Sequence, residues 1–125
     1  MTHTLLIALG GALGSALRHL TNQAALRLFG AQFPFGTFTV NLLGSLLMGL
    51  LVELVARRFD ASTELRLFIA TGVLGGYTTF SAFSLDTVAL FERGEIGLAA
   101  LYVVATVALG LIGLAGGLYL GRTIF

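Results

Sequence analysis

The sequence predicts an all-α membrane protein in which four helices cross the bilayer as one domain, residues 1–125. The first observation is composition: 57% of the residues are hydrophobic and 10% are charged, whereas a soluble domain carries about 25% charged residues. The second is length, because spans of about 20 residues each fit four times into the chain. The third is a charge-free stretch, residues 67–85, that is long enough to cross a bilayer but has helix-breaking residues at its centre.

Charge and cysteine content exclude several classes of function. The formal net charge is +1 and the only basic cluster is Arg57–Arg58, so nucleic-acid binding is not predicted. The chain has no cysteine, which excludes disulfides and thiolate metal sites. No HExxH, P-loop or nucleophile-elbow motif is present, and His3 and His19 have no partners at catalytic spacing. An enzyme is therefore not predicted.

The first predicted helix covers about residues 4–28. Residues 5–17 are apolar, Arg18 interrupts them, and the apolar pattern then resumes. A cleaved signal peptide is the alternative, but the segment before the apolar run carries no lysine or arginine. Gly10 and Gly14 are four residues apart and form a small-residue face that lets another helix approach closely.

The second predicted helix covers about residues 35–57, and Pro34 suits its first position. Thr37, Asn41 and Ser45 recur on it every four residues, so their side chains form one polar stripe. A buried amide without a hydrogen-bond partner costs a few kcal/mol. Asn41 is therefore predicted either to contact an anion with its N–H groups or to hydrogen-bond a neighbouring helix.

The third predicted helix, about residues 65–93, has a break at residues 75–79. Gly75 and Gly76 are followed there by two threonines, and glycine and threonine both disfavour a helix interior. Backbone groups freed within a membrane need partners, and discontinuous helices in transport proteins offer such groups to ions. The alternative is a glycine-rich crossing point between helices. Gly94 is a plausible C-terminal cap.

The fourth predicted helix covers about residues 96–121 and is uncharged. Gly113, Gly117 and Gly121 recur every four residues, which predicts a packing face. Tyr102 and Thr106, also four residues apart, are its main polar side chains.

The polar stretch 57–64 predicts a water-exposed turn in which Ser62 or Thr63 caps the third helix. With four spans, both termini lie on the same side of the membrane as this turn. Arginines on that side barely outnumber those on the other, whereas a fixed orientation needs a clear asymmetry. The sequence thus allows insertion both ways up and an antiparallel homodimer whose axis lies at the level of the break.

Four further side chains are candidates for the site. Arg18 lies within a span, where a charge either reaches the interface or faces protein and raises the local anion concentration. Phe80 and Phe83 fall on one helical face, and their ring edges carry partial positive charge that can meet an anion. Asp86 lies one turn beyond Phe83, at a vestibule or at a solvated helix end.

Three segments carry a resemblance to a known family: residues 10–18 (GGALGSALR), residues 36–44 (GTFTVNLLG) and residues 72–84 (GVLGGYTTFSAFS). They resemble, in order, the three signatures of the Fluc/CrcB family of fluoride channels, and the four-span layout covers essentially the whole chain. The third signature is the most specific of the three.

The resemblance implies an antiparallel, dual-topology homodimer with two fluoride pores in a plasma membrane, the inner membrane in bacteria. It implies pores lined by Asn41, Phe80 and Phe83, with a polar track of Thr79, Ser81, Tyr102 and Thr106. It also implies a central sodium ion that is not transported, held by the backbone carbonyls of Gly75 and Thr78 from both subunits. The partners expected are thus fluoride, a second copy of the chain and the lipid bilayer.

The function expected is passive fluoride export that limits toxicity, since the chain has no nucleotide site and no acidic residue in the middle of a span. Two positions depart from the family pattern: Ala82 replaces a frequent threonine, and Asp86 replaces a common glutamate. A small dual-topology multidrug antiporter is the alternative, but it would need a glutamate in the first span. A non-transporting helical subunit is the third hypothesis, and it leaves Asn41 and the break without a purpose.

Overall fold

Helices account for nearly the whole molecule in the computed structural model, which describes residues 1–125. The third membrane-crossing segment is divided in two, and its halves are labelled separately here. The elements are α1 (Thr2–Phe29), α2 (Phe35–Arg58), α3 (63–77), α4 (Phe80–Glu92) and α5 (Ile96–Ile124).

Four stretches, of which the third combines α3 and α4, are long and apolar enough to cross a membrane: Thr2–Phe29, Phe35–Arg58, Thr63–Glu92 and Ile96–Ile124. Their outward surfaces are dominated by leucine, valine, isoleucine and phenylalanine side chains that nothing in the chain covers. Lipid is the environment in which such a surface is stable. The predicted all-α fold with four spans is therefore confirmed, and the chain is a multi-pass membrane protein.

The break in the third span lies at two residues rather than over the predicted five. Gly75–Tyr77 remains helical, while Thr78 and Thr79 are extended, with φ/ψ of −85°/157° and −153°/120°. β-Branched residues favour that conformation. The glycine pair therefore does not interrupt the helix.

The segment before the break is wound more widely than the sequence predicts. Leu67–Leu74 forms a π-helix, and the Gly75 N–H donates to the carbonyl of Ala70, five residues back. Such turns are rare and occur often at functional sites.

The small-residue face of α1 packs on α3. A Cβ at Gly14 would collide with the Val73 carbonyl, and one at Gly76 would lie 2.6 Å from the Gly11 carbonyl oxygen. Only glycine lets the two backbones approach this closely, so the predicted packing face of α1 is confirmed. This contact explains why the glycines of α3 are helical: close packing outweighs a propensity cost of about 1 kcal/mol per glycine.

A second glycine contact joins α2 to α5. A Cβ at Gly49 or at Gly117 would meet backbone atoms of the facing helix, and one at Gly121 would meet the side chain of Glu53. Glu53 also accepts hydrogen bonds from Arg57 at 3.0 Å and from Arg122 at 2.9 Å. The predicted packing face of α5 is confirmed, and an ion-pair cluster closes this end of the contact.

The turns position both ends of the bundle. Ser62 caps α3 by accepting the Leu65 N–H at 3.3 Å, and Gly94 ends α4 with a φ of 81°, as the sequence predicts. Pro34 lies one residue before α2 instead of at its first position. His3 lies 3.7 Å from Glu64, so the N-terminus adjoins the α2–α3 turn at the end where Arg122 also lies.

Candidate functional site

Asn41 holds the break in the third span from the neighbouring helix α2. Its Oδ1 accepts the Thr79 N–H at 2.8 Å, and its Nδ2 donates to the Thr79 carbonyl at 3.0 Å. The side chain thus replaces the helical partners that an extended residue loses within the membrane. An amide nitrogen carries two hydrogens, so one N–H of Asn41 remains for another acceptor.

The carbonyls of residues 75–78 accept no backbone N–H across the break, and two of the lost donors bond to side chains instead. The Thr79 N–H, which in a continuous helix would donate to the Gly75 carbonyl, donates to Asn41 instead. The Ala82 N–H, the corresponding donor for the Thr78 carbonyl, donates at 3.1 Å to the hydroxyl of Thr79, which caps α4. The resemblance singles out these same carbonyls, Gly75 and Thr78, as ligands for a cation.

Arg18 approaches the break from α1. Its Nη1 lies 3.5 Å from the Thr78 carbonyl oxygen, a long distance for a hydrogen bond, and the side chain is half-buried. One turn along, the hydroxyls of Thr21 and Tyr77 are 3.0 Å apart and tie α1 to the residue before the break. The charge therefore faces protein rather than the membrane interface.

The two phenylalanines beyond the break differ in exposure. Phe83 is 8% exposed, and its ring centroid lies 5.2 Å from that of Tyr102, which is fully buried. Phe80 is 79% exposed, although its ring centroid is only 5.6 Å from that of Phe83. Within one copy of the chain, Phe83 is thus a packed residue and Phe80 projects from the surface.

A cavity of about 450 Å³ lies on this face, between α2, α4 and α5. No charged side chain lines it. Of the residues singled out from the sequence, it is lined by Asn41, Thr78, Thr79, Phe80, Phe83 and Thr106. The Thr106 hydroxyl is buried and has no hydrogen-bond partner, which costs free energy unless a ligand or water supplies one.

A second cavity of about 300 Å³ lies at the end of the bundle, against Asp86 and Arg93. The Tyr102 hydroxyl donates to Asp86 Oδ2 at 3.2 Å. Because Tyr102 also contacts Phe83, it links the lining of the first cavity to that of the second. Ser81 lies outside both linings, and its hydroxyl is 3.3 Å from that of Thr79.

The sequence did not indicate three residues that hold the helices around the site: Thr21, Tyr77 and Glu53. Tyr77 stands inside the third signature, which was the available signal. Thr21 lies three residues after Arg18 on α1, so both side chains lie on one helical face. Glu53 lies near the predicted end of the second span, yet its side chain is only 12% exposed between two arginines.

Comparisons with known proteins bear on this arrangement. Residues 5–118 match the family described as CrcB-like protein, camphor resistance (CrcB). The chain is 55% identical over 125 residues to the Fluoride-specific ion channel FluC of Agrobacterium fabrum, covering 100% of both chains. It is 57% identical over 118 residues to FluC 2 of Nitrobacter hamburgensis, covering 94% of this chain and 95% of the relative. These matches extend over the break, the polar stripe and all four spans, and they establish that the chain belongs to the CrcB-like family.

Proposed function

We propose that this protein is a fluoride-selective channel that lets fluoride leave the cell passively. The observation that carries the proposal is the 450 Å³ cavity beside the break, whose uncharged wall offers an unpartnered hydroxyl, a spare amide N–H and a phenylalanine pair. The relatives named as fluoride-specific ion channels, 55% and 57% identical over nearly the full length, supply the identity of the ion.

The wall suits a small, strongly hydrated anion. Moving an unpaired ion into a low-dielectric interior costs tens of kcal/mol, so hydrogen-bond donors must replace the water that fluoride loses. The Thr106 hydroxyl and the second N–H of Asn41 are available for that purpose. Ring edges of Phe80 and Phe83 add weak positive potential. Conduction requires attraction that still permits release, which neutral donors provide better than an arginine would.

A structural sodium ion at the break is part of the proposal. The residues fit it, because the carbonyls of Gly75 and Thr78 lose their helical donors and hard cations prefer oxygen ligands. When bound, sodium would supply fixed positive charge near the anion path. Asn41 and Thr79 keep the two carbonyls free by taking over the N–H groups that would otherwise occupy them.

An antiparallel homodimer completes the proposed channel. Two carbonyls from one chain leave a cation undercoordinated, and a second copy would supply two more. Phe80 is 79% exposed beside the cavity, and a second copy would cover it. The termini end carries four arginines and the opposite end carries Arg27 and Arg93, a bias weak enough for both orientations. The membrane proposed is the plasma membrane, the inner membrane in bacteria, where export would limit toxicity.

Efflux from liposomes tests the proposal. Purified protein should release fluoride much faster than chloride, as followed with ion-selective electrodes. Phe80→Ile and Phe83→Ile should each lower fluoride efflux at least tenfold. Phe91→Ile is the matched control, because Phe91 lies on the same helix, is 60% exposed and does not line the cavity. Equal release of both halides, or release that both pore variants leave intact, would contradict a fluoride-selective pore at this cavity.

The absence of cysteine permits a direct test of orientation. A single cysteine at Thr123, an exposed position near the C-terminus, should react with a membrane-impermeant thiol reagent in about half of the molecules of intact cells. Permeabilised cells should give complete labelling. Labelling of nearly all or nearly none of the molecules in intact cells would establish one orientation and exclude the antiparallel dimer.

A further inference from the structure

Arg18 is the one charged side chain that contacts the break. Its guanidinium approaches the Thr78 carbonyl to 3.5 Å, whereas none of the three ion pairs in the chain includes it. A half-buried cation without a counter-charge is stabilised mainly by nearby atoms that carry negative partial charge. In one copy of the chain, that partner is a carbonyl which has also lost its helical donor.

The same oxygen belongs to the proposed sodium site. A sodium ion on the Thr78 carbonyl would lie only a few ångströms from the guanidinium that now faces it. Like charges at such a separation repel strongly in a half-buried, low-dielectric setting.

We propose that Arg18 competes with sodium for the Thr78 carbonyl and thereby sets the sodium affinity of the break. The guanidinium partly satisfies the carbonyl when sodium is absent and weakens sodium binding when sodium is present. The inference rests on the proposed sodium site and assigns that site a regulator within the chain. It requires no change in the pore lining, because Arg18 does not border the cavity.

The long contact favours competition between Arg18 and sodium over a fixed structural role for Arg18. At 3.5 Å, the contact is longer than the 2.7–3.2 Å of ordinary N–H···O bonds, so the guanidinium is not locked onto the oxygen. The break has independent anchors in Asn41 and in the hydroxyl pair of Thr21 and Tyr77. Neutralising Arg18 therefore removes a charge and leaves these anchors in place.

The test is sodium-dependent stability of purified protein. Thermal unfolding is followed while sodium chloride replaces choline chloride at constant ionic strength, since a ligand that binds the folded state raises its melting temperature. Arg18→Gln and Arg18→Met should show a given sodium-dependent rise in melting temperature at a sodium concentration at least tenfold lower than wild type. Arg18→Lys keeps a positive charge and should change that concentration less. Arg27→Gln, which removes an exposed arginine from the same helix, should match wild type.

Each outcome bears on the inference. If both neutral variants need the same or a higher sodium concentration than wild type for the same rise in melting temperature, competition is overturned and the sodium site still stands. If the melting temperature of the wild-type protein does not depend on sodium, the proposed sodium site is wrong, and the inference is wrong with it. If neither neutral variant folds even in saturating sodium, Arg18 is a structural anchor and the inference is wrong.

Discussion

The two halves of the third span differ in how they are held. The first half, α3, lies against α1 at glycine-to-backbone contacts and is tied to it by Tyr77. The second half, α4, rests on its neighbours chiefly through Phe83 and Leu90, while Phe80 remains 79% exposed. One half is fixed inside the subunit, and the other presents side chains to a cavity and to a surface.

In the proposed channel, this difference separates the segment that would hold the sodium ligands from the segment that would contact fluoride. Close backbone packing in α3 leaves little freedom, which suits a segment that must hold carbonyls in place. The sparser packing of α4 leaves room for a path, and it leaves polar groups such as the Thr106 hydroxyl without partners. Asn41 stands between the halves and hydrogen-bonds the residue that joins them.

The contact between α3 and α1 is expected to have the largest effect on stability. Gly14→Val would drive a side chain into the Val73 backbone, which cannot move without parting the helices. We expect a loss of about 3 kcal/mol or more, and little folded protein on size exclusion in detergent. Gly116→Ala is the control: no atom lies within 4 Å of the added methyl group, and alanine favours a helix by about 1 kcal/mol. Equal behaviour of both variants would refute the rigid contact.

The next effect concerns the joint between the halves. Asn41→Leu removes both hydrogen bonds to Thr79 and leaves its N–H and carbonyl unpaired, which should cost about 2–4 kcal/mol in chemical unfolding. Fluoride efflux should fall with it. Asn22→Leu is the matched control, since the Asn22 Oδ1 is buried without a partner and a leucine of similar shape should change stability by less than about 1 kcal/mol. A larger loss from the Asn22 variant would show that the joint lies elsewhere.

The smallest effect lies within α4 and its contact with α5. Tyr102→Phe keeps the ring against Phe83 and removes the hydroxyl that donates to Asp86, so we expect a loss of about 1 kcal/mol in the same unfolding measurement. Tyr119→Phe, at a position that is 68% exposed, should be neutral. If the two variants are indistinguishable, the link between the two cavities contributes nothing to stability.

Local sequence patterns were sufficient to predict the spans, the packing faces and several candidate site residues of this protein. Hydropathy located four spans, because burial in lipid is decided over about 20 consecutive residues. The four-residue spacing of glycines predicted the packing faces of α1 and α5, since such residues share one side of a helix. The polar stripe and the third signature singled out Asn41, Phe80 and Phe83 before their surroundings were known.

Spacing was insufficient where one residue could take more than one conformation or partner. Glycine propensity placed the start of the break at Gly75, whereas packing on α1 keeps Gly75–Tyr77 helical and moves the extension to the threonines. The hydropathy pattern did not indicate the π-helical segment before the break. The sequence likewise gives no sign of the ion pair between Glu53 and Arg122, which lie 69 residues apart and meet only because α2 packs on α5.

The sequence by itself determined the membrane environment, the four helices, their small-residue faces and the family. Only the tertiary structure decided how the break is held, because Asn41 and Arg18 reach it from other helices, whereas the Thr79 hydroxyl is a local partner. Asn41 is 38 residues from Thr79, and Arg18 is 60 residues from Thr78. Hydrogen bonds across such distances depend on how helices pack, and helical periodicity within one segment carries no information about them.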